Sequence, residues 1–226
     1  MVNQIALTFI FLVALILLLT FTELIYRRLG LKGEITRKFA HFTATLSTVT
    51  FPYLFSDHWY VLVLAIFFFL LLFVSRHGSQ LRSIHDIDRK SVGSYMLPAA
   101  IYLTFLIYIK TGAHEKLLFI LPMLVLAISD PVAGMLGLNF QDYNHRIKIF
   151  GKELKKTFLG SGSFLLSSFI ISIFALYFNR MVFDLKTFWL ALGIAVVSTL
   201  AEMFSWRGTD NLFIPLSVLL MLLLFL

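Results

Sequence analysis

The chain has 226 residues, 59% of them hydrophobic and only 14% charged, with a mean hydropathy of +0.90. A soluble domain of this size is about half apolar and about a quarter charged, so the composition excludes one and describes a protein that crosses a membrane repeatedly. The lack of cysteine excludes a disulfide scaffold, a thiolate metal site and a cysteine nucleophile, and the net charge of +7 lies in short loops between apolar runs, which argues against nucleic acid as the partner.

Apolar stretches at about 4–25, 39–55, 59–75, 93–109, 117–138, 160–178, 187–205 and 211–226 predict eight spans, several near the lower limit of roughly 17 residues. The expected fold is all-α, a polytopic integral membrane helical bundle forming one domain over residues 1–226. No basic residue precedes the first apolar run and no small-residue cleavage site follows it, so this span is expected to be retained with its N-terminus outside. Of the 19 Lys and Arg residues, all but Lys110, Lys116, Arg180 and Lys186 fall in the connections after spans 1, 3, 5 and 7. That bias predicts cytoplasmic odd-numbered connections and both termini on the non-cytoplasmic side.

The first cytoplasmic connection ends in Arg37-Lys38-Phe39-Ala40-His41. Arg37 and His41 are four apart and share a helical face. A cation and an imidazole there suit phosphate binding or proton transfer, but on these residues alone positive-inside topology with an interfacial histidine is the preferred reading. Asp57 and His58 fall in an outer loop and read as solvated surface. In the second cytoplasmic connection His85, Asp86 and Asp88 are a weak metal signal among basic residues, and a solvated amphipathic segment is the preferred reading. Pro98 is expected to kink the fourth span.

Span 5 contains Ser129-Asp130-Pro131-Val132-Ala133-Gly134. An ionisable residue inside a membrane segment is costly and marks a candidate functional site. Pro131 disfavours the α conformation at Asp130, which predicts a broken helix with Asp130 capping a new half-helix. About twenty residues later comes Gly151-Lys152-Glu153-Leu154-Lys155-Lys156-Thr157-Phe158-Leu159-Gly160-Ser161-Gly162-Ser163. Its lysines, hydroxyls and glycines, with a helix expected to start near Gly160, suit phosphate. Taken by itself the loop equally suits anionic lipid headgroups. Near the inner end of span 7 stands Glu202, followed by a turn with Asp210-Asn211 and by Pro215 in span 8. Oxygen ligands of this kind suit a divalent cation or a nucleotide hydroxyl.

In the predicted topology His41, Asp130, the 152–163 loop, Glu202 and Asp210-Asn211 all lie toward the cytoplasmic ends of their spans. They are expected to converge on one cleft open to soluble nucleotide and to lipid. A transporter would spread polar groups through the bundle, whereas spans 1, 3 and 8 hold almost none. A membrane scaffold gives Asp130 and Glu202 no purpose.

With these residues the sequence resembles the polyprenol kinase family: dolichol, phytol and farnesol kinases and CTP-dependent diacylglycerol kinase, distant relatives of phosphatidate cytidylyltransferase. The matching elements are Arg37-Lys38-x-x-His41, Asp130-Pro131-x-Ala133-x-x-x-Gly137, Gly151-Lys152 with Lys156-Thr157-x-x-Gly160-Ser161, and Glu202-x-x-Ser205 with Asp210-Asn211-x-x-x-Pro215. Family members often carry Glu just before the Gly-Ser, where this chain has Leu159. The Arg-rich signature that typically closes the cytidylyltransferases is absent, which favours the kinase branch.

The resemblance implies transfer of a γ-phosphoryl group from a nucleoside triphosphate, CTP in the first instance, to the hydroxyl of a lipid alcohol at the cytoplasmic face of an inner or endoplasmic-reticulum-type membrane. It implies Mg²⁺ held by Asp130 and Asp210, and phosphates held by Lys152, Lys155, Lys156 and the Gly160-Ser161 amides. Arg37, Lys38 and Thr157 would join the phosphate contacts. Glu202 and Asn211 would orient the nucleotide, and His41 would contact phosphate or take the alcohol's proton. The alternative implied by the same kinship is a phosphatidate cytidylyltransferase, which would release pyrophosphate. No Walker A sequence is present, which excludes ordinary P-loop chemistry.

Overall fold

The computed structural model describes the chain except residues 1–2, 32, 78–80, 86–91, 112–114, 140–144 and 150–151, and gives backbone alone at 77, 85, 138–139, 148–149 and 152–155. Asp86, Asp88 and Gly151, all weighed from sequence, lie outside the described residues, and of His85 only the backbone is described. The chain divides into two compact units: Met1–Lys116 with Arg207–Thr209, and Leu117–Trp206 with Asp210–Leu226.

The first unit begins with α1 (Gln4–Leu29), capped by the Asn3 side chain and closed by Gly30 in the left-handed conformation. It continues through α2 (Gly33–Thr48), the single turn α3 (Phe51–Leu54), α4 (His58–His77), the short α5 (Arg82–His85) and α6 (Gly93–Lys110). α1 packs on α2, α4 and α5, and α4 packs on α6. Much of the core is aromatic. Phe51 meets Phe11 and Phe55 edge-on at 5.1 Å between ring centroids, and Phe105 at 6.3 Å. Residues 207–209 join this unit by the backbone: the Val92 N–H donates to the Arg207 carbonyl at 2.8 Å.

The second expected span is displaced. Its helix starts at Gly33 rather than 39 and stops at Thr48, so Arg37, Lys38 and His41 lie within the helix and not at its entrance. Glu34 in the first turn favours that early start through the helix dipole. At the far end the hydroxyls of Ser47, Thr48 and Thr50 each bond a carbonyl three residues back, which competes with helix continuation just before Pro52.

The second unit contains α7 (Leu117–Asn139), a two-stranded antiparallel hairpin of β1 (Arg146–Ile149) and β2 (Lys152–Thr157), then α8 (Phe158–Arg180), α9 (Leu185–Phe204) and α10 (Asp210–Phe225). The four helices pack in a ring, α7 on α8, α8 on α9, α9 on α10 and α10 on α7. α7 is the most enclosed of them: 67% of its span is buried, against 33% for α8 and 44% for α9. Asp130 on α7 is itself half-buried. The expected break at Pro131 does not occur; α7 runs unbroken through both Pro122 and Pro131. Each proline removes one N–H donor, and in a packed membrane helix the neighbours re-satisfy the freed carbonyl, so a proline there is tolerated.

α7 and α8 approach closely at two glycines. A Cβ built on Gly160 would stand 3.1 Å from the Ala133 carbonyl oxygen and 2.9 Å from Thr157 Oγ1, and one on Gly137 would stand 3.7 Å from the Gly160 Cα. The small residues let the two backbones come together, as membrane helices without a hydrophobic drive require. Gly160→Ala is accordingly expected to destabilise the chain by about 1–3 kcal/mol. Thermal unfolding in detergent would show this, and a neutral result would mean that α8 can slide away from α7.

Outside the bundle ends, the connection from α8 to α9 is more ordered than its composition suggests. Asp184 caps α9 by accepting the Thr187 N–H at 2.7 Å and forms a paired contact with Arg180, 3.2 Å to each guanidinium nitrogen. The bonds from Thr187 and Arg180 hold its carboxyl down at about 2.

The all-α membrane bundle is therefore present. Among the described residues six helices are long and apolar enough to cross a membrane: α1, α4, α6, α7, α8 and α9. The remaining two expected spans correspond to α2 and α10, each of 16 residues; α10 is apolar, while α2 carries Glu34, Arg37, Lys38 and His41.

Candidate active site

The 152–163 segment is expected to be a loop, but its first half is strand. β2 ends at Thr157, whose extended backbone (φ −116°, ψ 153°) turns directly into α8. Thr157 Oγ1 accepts the Gly160 N–H at 3.2 Å, the usual use of an N-cap threonine. Lys156 stands one residue before this cap. Its ammonium donates to Glu202 Oε1 at 2.5 Å and to Asp210 Oδ2 at 3.2 Å.

Each acid is held at its other oxygen. Glu202 Oε2 accepts the Ser161 hydroxyl at 3.1 Å, and Asp210 Oδ1 accepts the Asn211 N–H at 3.1 Å. Four elements meet here, each giving one group: β2 (Lys156), α8 (Ser161), α9 (Glu202) and α10 (Asp210).

The electrostatics explain the pairing. Glu202 is only 3% exposed and lies in the last turn of α9, where the dipole opposes negative charge. A buried carboxylate so placed needs a cation and a hydrogen-bond donor, and Lys156 and Ser161 supply them. Asp210 opens α10, where the same dipole favours it. Burial alone would push the Lys156 amine down; the charges of Asp210, Glu202 and Asp130 outweigh it and hold the amine well above its ordinary range. Lys156 is thus a cation at any working pH.

Of the residues singled out from sequence, the second unit brings together Asp130, Lys156, Thr157, Ser161, Glu202 and Asp210, with Gly160 and Asn211 beside them in the first turns of α8 and α10. Lys152 and Lys155 are on β2, without described side chains. The Gly160 amide, expected to meet phosphate, is engaged by the cap instead. Arg37, Lys38 and His41 lie on α2 in the first unit, where Arg37 stands 4.0 Å from Glu34. Thr45, one turn beyond His41, is fully buried on the same face.

Sequence reasoning missed Glu23. This acid within α1 accepts the Arg27 Nε–H at 2.7 Å and the Ser83 backbone N–H at 2.9 Å, while Thr36 Oγ1 donates to the Ser83 carbonyl at 2.8 Å. Together these bonds fasten α5 to α1 and α2. The available signal was the i, i+4 pairing of Glu23 with Arg27 near the end of the first span.

Magnesium fits this arrangement poorly. Among the described residues no three acid or imidazole groups are gathered as a metal centre. The carboxyl oxygens that could ligate an ion at the centre of the cluster, Glu202 Oε1 and Asp210 Oδ2, face the Lys156 ammonium.

No family model matches the chain, and no solved structure matches it. It is 26% identical over 196 residues to a phytol kinase of Synechocystis sp., an alignment covering 86% of this chain and 81% of that protein. The chain resembles the phytol and polyprenol kinases. That likeness, carried at first by four short motifs, extends along most of the sequence, and an alignment of 196 residues necessarily draws on both units of this phytol-kinase-like chain.

Proposed function

We propose that this protein is a lipid alcohol kinase: it transfers the γ-phosphoryl group of a nucleoside triphosphate, CTP in the first instance, to the hydroxyl of a membrane lipid alcohol at the cytoplasmic face. Polyprenol or dolichol, phytol or farnesol, and diacylglycerol share the required chemistry of one hydroxyl on an apolar tail, and the similarity to a phytol kinase places phytol first for testing. The observation that carries the reading is the Lys156 ammonium, fixed at the mouth of α8 by acids from α9 and α10.

Phosphoryl transfer demands positioning and charge neutralisation more than covalent catalysis. A permanently charged lysine at the end of a hairpin suits the phosphates, with Lys152 and Lys155 on the same strand as further contacts. Asp130 suits the acceptor hydroxyl, since it is a half-buried acid on a membrane-spanning helix and its charge acts on the Lys156 ammonium. Arg37, Lys38 and His41 lie on α2 in the first unit, and their role in phosphate contact or in taking the alcohol's proton rests on the family resemblance alone. Magnesium arriving with the nucleotide would neutralise the phosphate oxygens.

The test is transfer from γ-labelled CTP, alongside ATP, to a panel of lipid alcohols, with Asp130→Asn in parallel. A labelled lipid phosphate whose rate falls at least about a hundredfold in the variant is expected, the scale for losing a group that acts on the reacting atoms. Pyrophosphate and a CDP-lipid from phosphatidate would instead identify a cytidylyltransferase. Absence of turnover with every lipid would sink the enzymatic reading.

A further inference from the structure

We infer that the α8–α9 connection is seated in the lipid at the boundary of the bilayer, where Met181, Phe183 and Leu185 form an apolar wedge among the acyl chains, rather than standing in water as a surface loop. The connection lies at the end of α8 away from Lys156, and the inference goes beyond the kinase reading without resting on it.

The side chains themselves argue for a lipid contact. Met181 is 73% exposed, Phe183 61% and Leu185 71%. They continue an apolar surface already turned outward by Phe178 at the end of α8 and Trp189 in the first turns of α9, both exposed. Tryptophan and other aromatic rings gather at the level where headgroups meet acyl chains. Met181 also takes the left-handed conformation that closes α8, with φ 53° and its N–H donating to the Tyr177 carbonyl at 2.6 Å. Glycine fills that position without strain. A bulky side chain held there and left mostly outside the protein has its compensating contact in the surroundings.

The polar groups of the connection are arranged for a poor solvent. Arg180 and Asp184 meet in a doubled contact, 3.2 Å from each guanidinium nitrogen to its own carboxylate oxygen. The buried Thr187 donates its N–H and its hydroxyl to Asp184 Oδ1, each at 2.7 Å, and its hydroxyl accepts from Arg180 at 2.8 Å. In water an exposed pair of this kind contributes little, whereas at a lipid boundary charges must be paired and hydrogen-bonded. The neighbouring Lys186 has a stem long enough to lie along apolar surface while its ammonium reaches the headgroups.

Length agrees. α9 has 20 residues, about 30 Å of helix, which matches a hydrocarbon core of about 30 Å. The connection from Arg180 to Leu185 is too short to carry its tip clear of the headgroup layer.

The experiment uses the absence of cysteine from the chain, which lets a single introduced thiol carry one nitroxide label. Phe183→Cys and Leu185→Cys, both at exposed positions, are labelled in the full chain, assembled into phosphatidylcholine nanodiscs and read by power-saturation electron paramagnetic resonance. Oxygen, which concentrates in the bilayer, is expected to relax both labels at least about threefold more effectively than a water-soluble nickel chelate. Asp57→Cys, in a polar connection of the first unit, supplies the reference for a label in water and is expected to show the opposite preference. A stronger effect of the nickel chelate at either 183 or 185 overturns the inference and makes the connection a solvated loop. Line broadening that disappears when labelled chain is diluted with unlabelled chain before assembly also overturns it, because a second copy then covers the wedge. Neither nucleotide nor turnover enters the measurement, so its failure leaves the kinase reading untouched.

Discussion

Lys156→Met lowers the rate of lipid phosphorylation by about a hundredfold to a thousandfold, the range observed when one preorganised donor is removed from a site of developing charge. No other cation among the described residues of the second unit is shown bonded to both Glu202 and Asp210. Lys156→Arg keeps the charge but exchanges a compact ammonium for a planar fork. It is expected to recover part of the rate and little of the nucleotide KM. Steady-state kinetics in nanodiscs with a saturating lipid alcohol would separate the two parameters. A Lys156→Met enzyme within threefold of wild type would mean that the ammonium only braces the fold. Stability must be followed in parallel, because deleting one partner of a buried pair leaves the carboxylates opposed by less positive charge.

Glu202→Ala should be the most destabilising single substitution in the second unit. It removes the acceptor of both Lys156 and Ser161 from a site that is 3% exposed, while the bond from the ammonium to Asp210 stays. Breaking a buried pair costs roughly 3–5 kcal/mol, which for a chain of this length corresponds to a fall in melting temperature on the order of 10 °C. Glu202→Gln keeps the shape and an acceptor for Lys156, so its cost should be about half as large. Fluorescence-detected thermal unfolding in detergent would measure both. Equal melting temperatures for wild type and Glu202→Ala would show that water takes over the bonds at little cost.

The two substitutions separate different contributions. Lys156 is tested mainly through rate, since it stands on a hairpin strand and not on a membrane-spanning helix. Glu202 is tested mainly through stability, since it belongs to a packed span. A chain in which Glu202→Gln folds normally yet loses activity as fully as Lys156→Met would show that the acid acts by fixing the lysine.

Several parts of this protein could be read without a structure. Its membrane class follows from composition, and six of the predicted spans correspond to helices long and apolar enough to cross. Asp130, Lys156, Glu202 and Asp210 stood out because an ionisable group in or against a bilayer is costly and must have a compensating partner. The physics that makes a charge conspicuous in a hydrophobic sequence is the same physics that later pairs it.

Tertiary structure alone decided the pairing and the local backbone. The basic segment contains Lys152, Lys155 and Lys156, and nothing in its composition selects the one that meets Glu202; the choice follows from β2 ending at Thr157 and from the position of α9 and α10. α7 continues through Pro131 because its surroundings accommodate a lost donor, a property of neighbours far away in sequence. The Gly137–Gly160 crossing and the Glu23–Ser83 bond likewise join residues distant along the chain. Hydropathy and charge are carried by single residues and remain visible in a linear string. Which donor meets which acceptor is a property of pairs, and folding brings those pairs together.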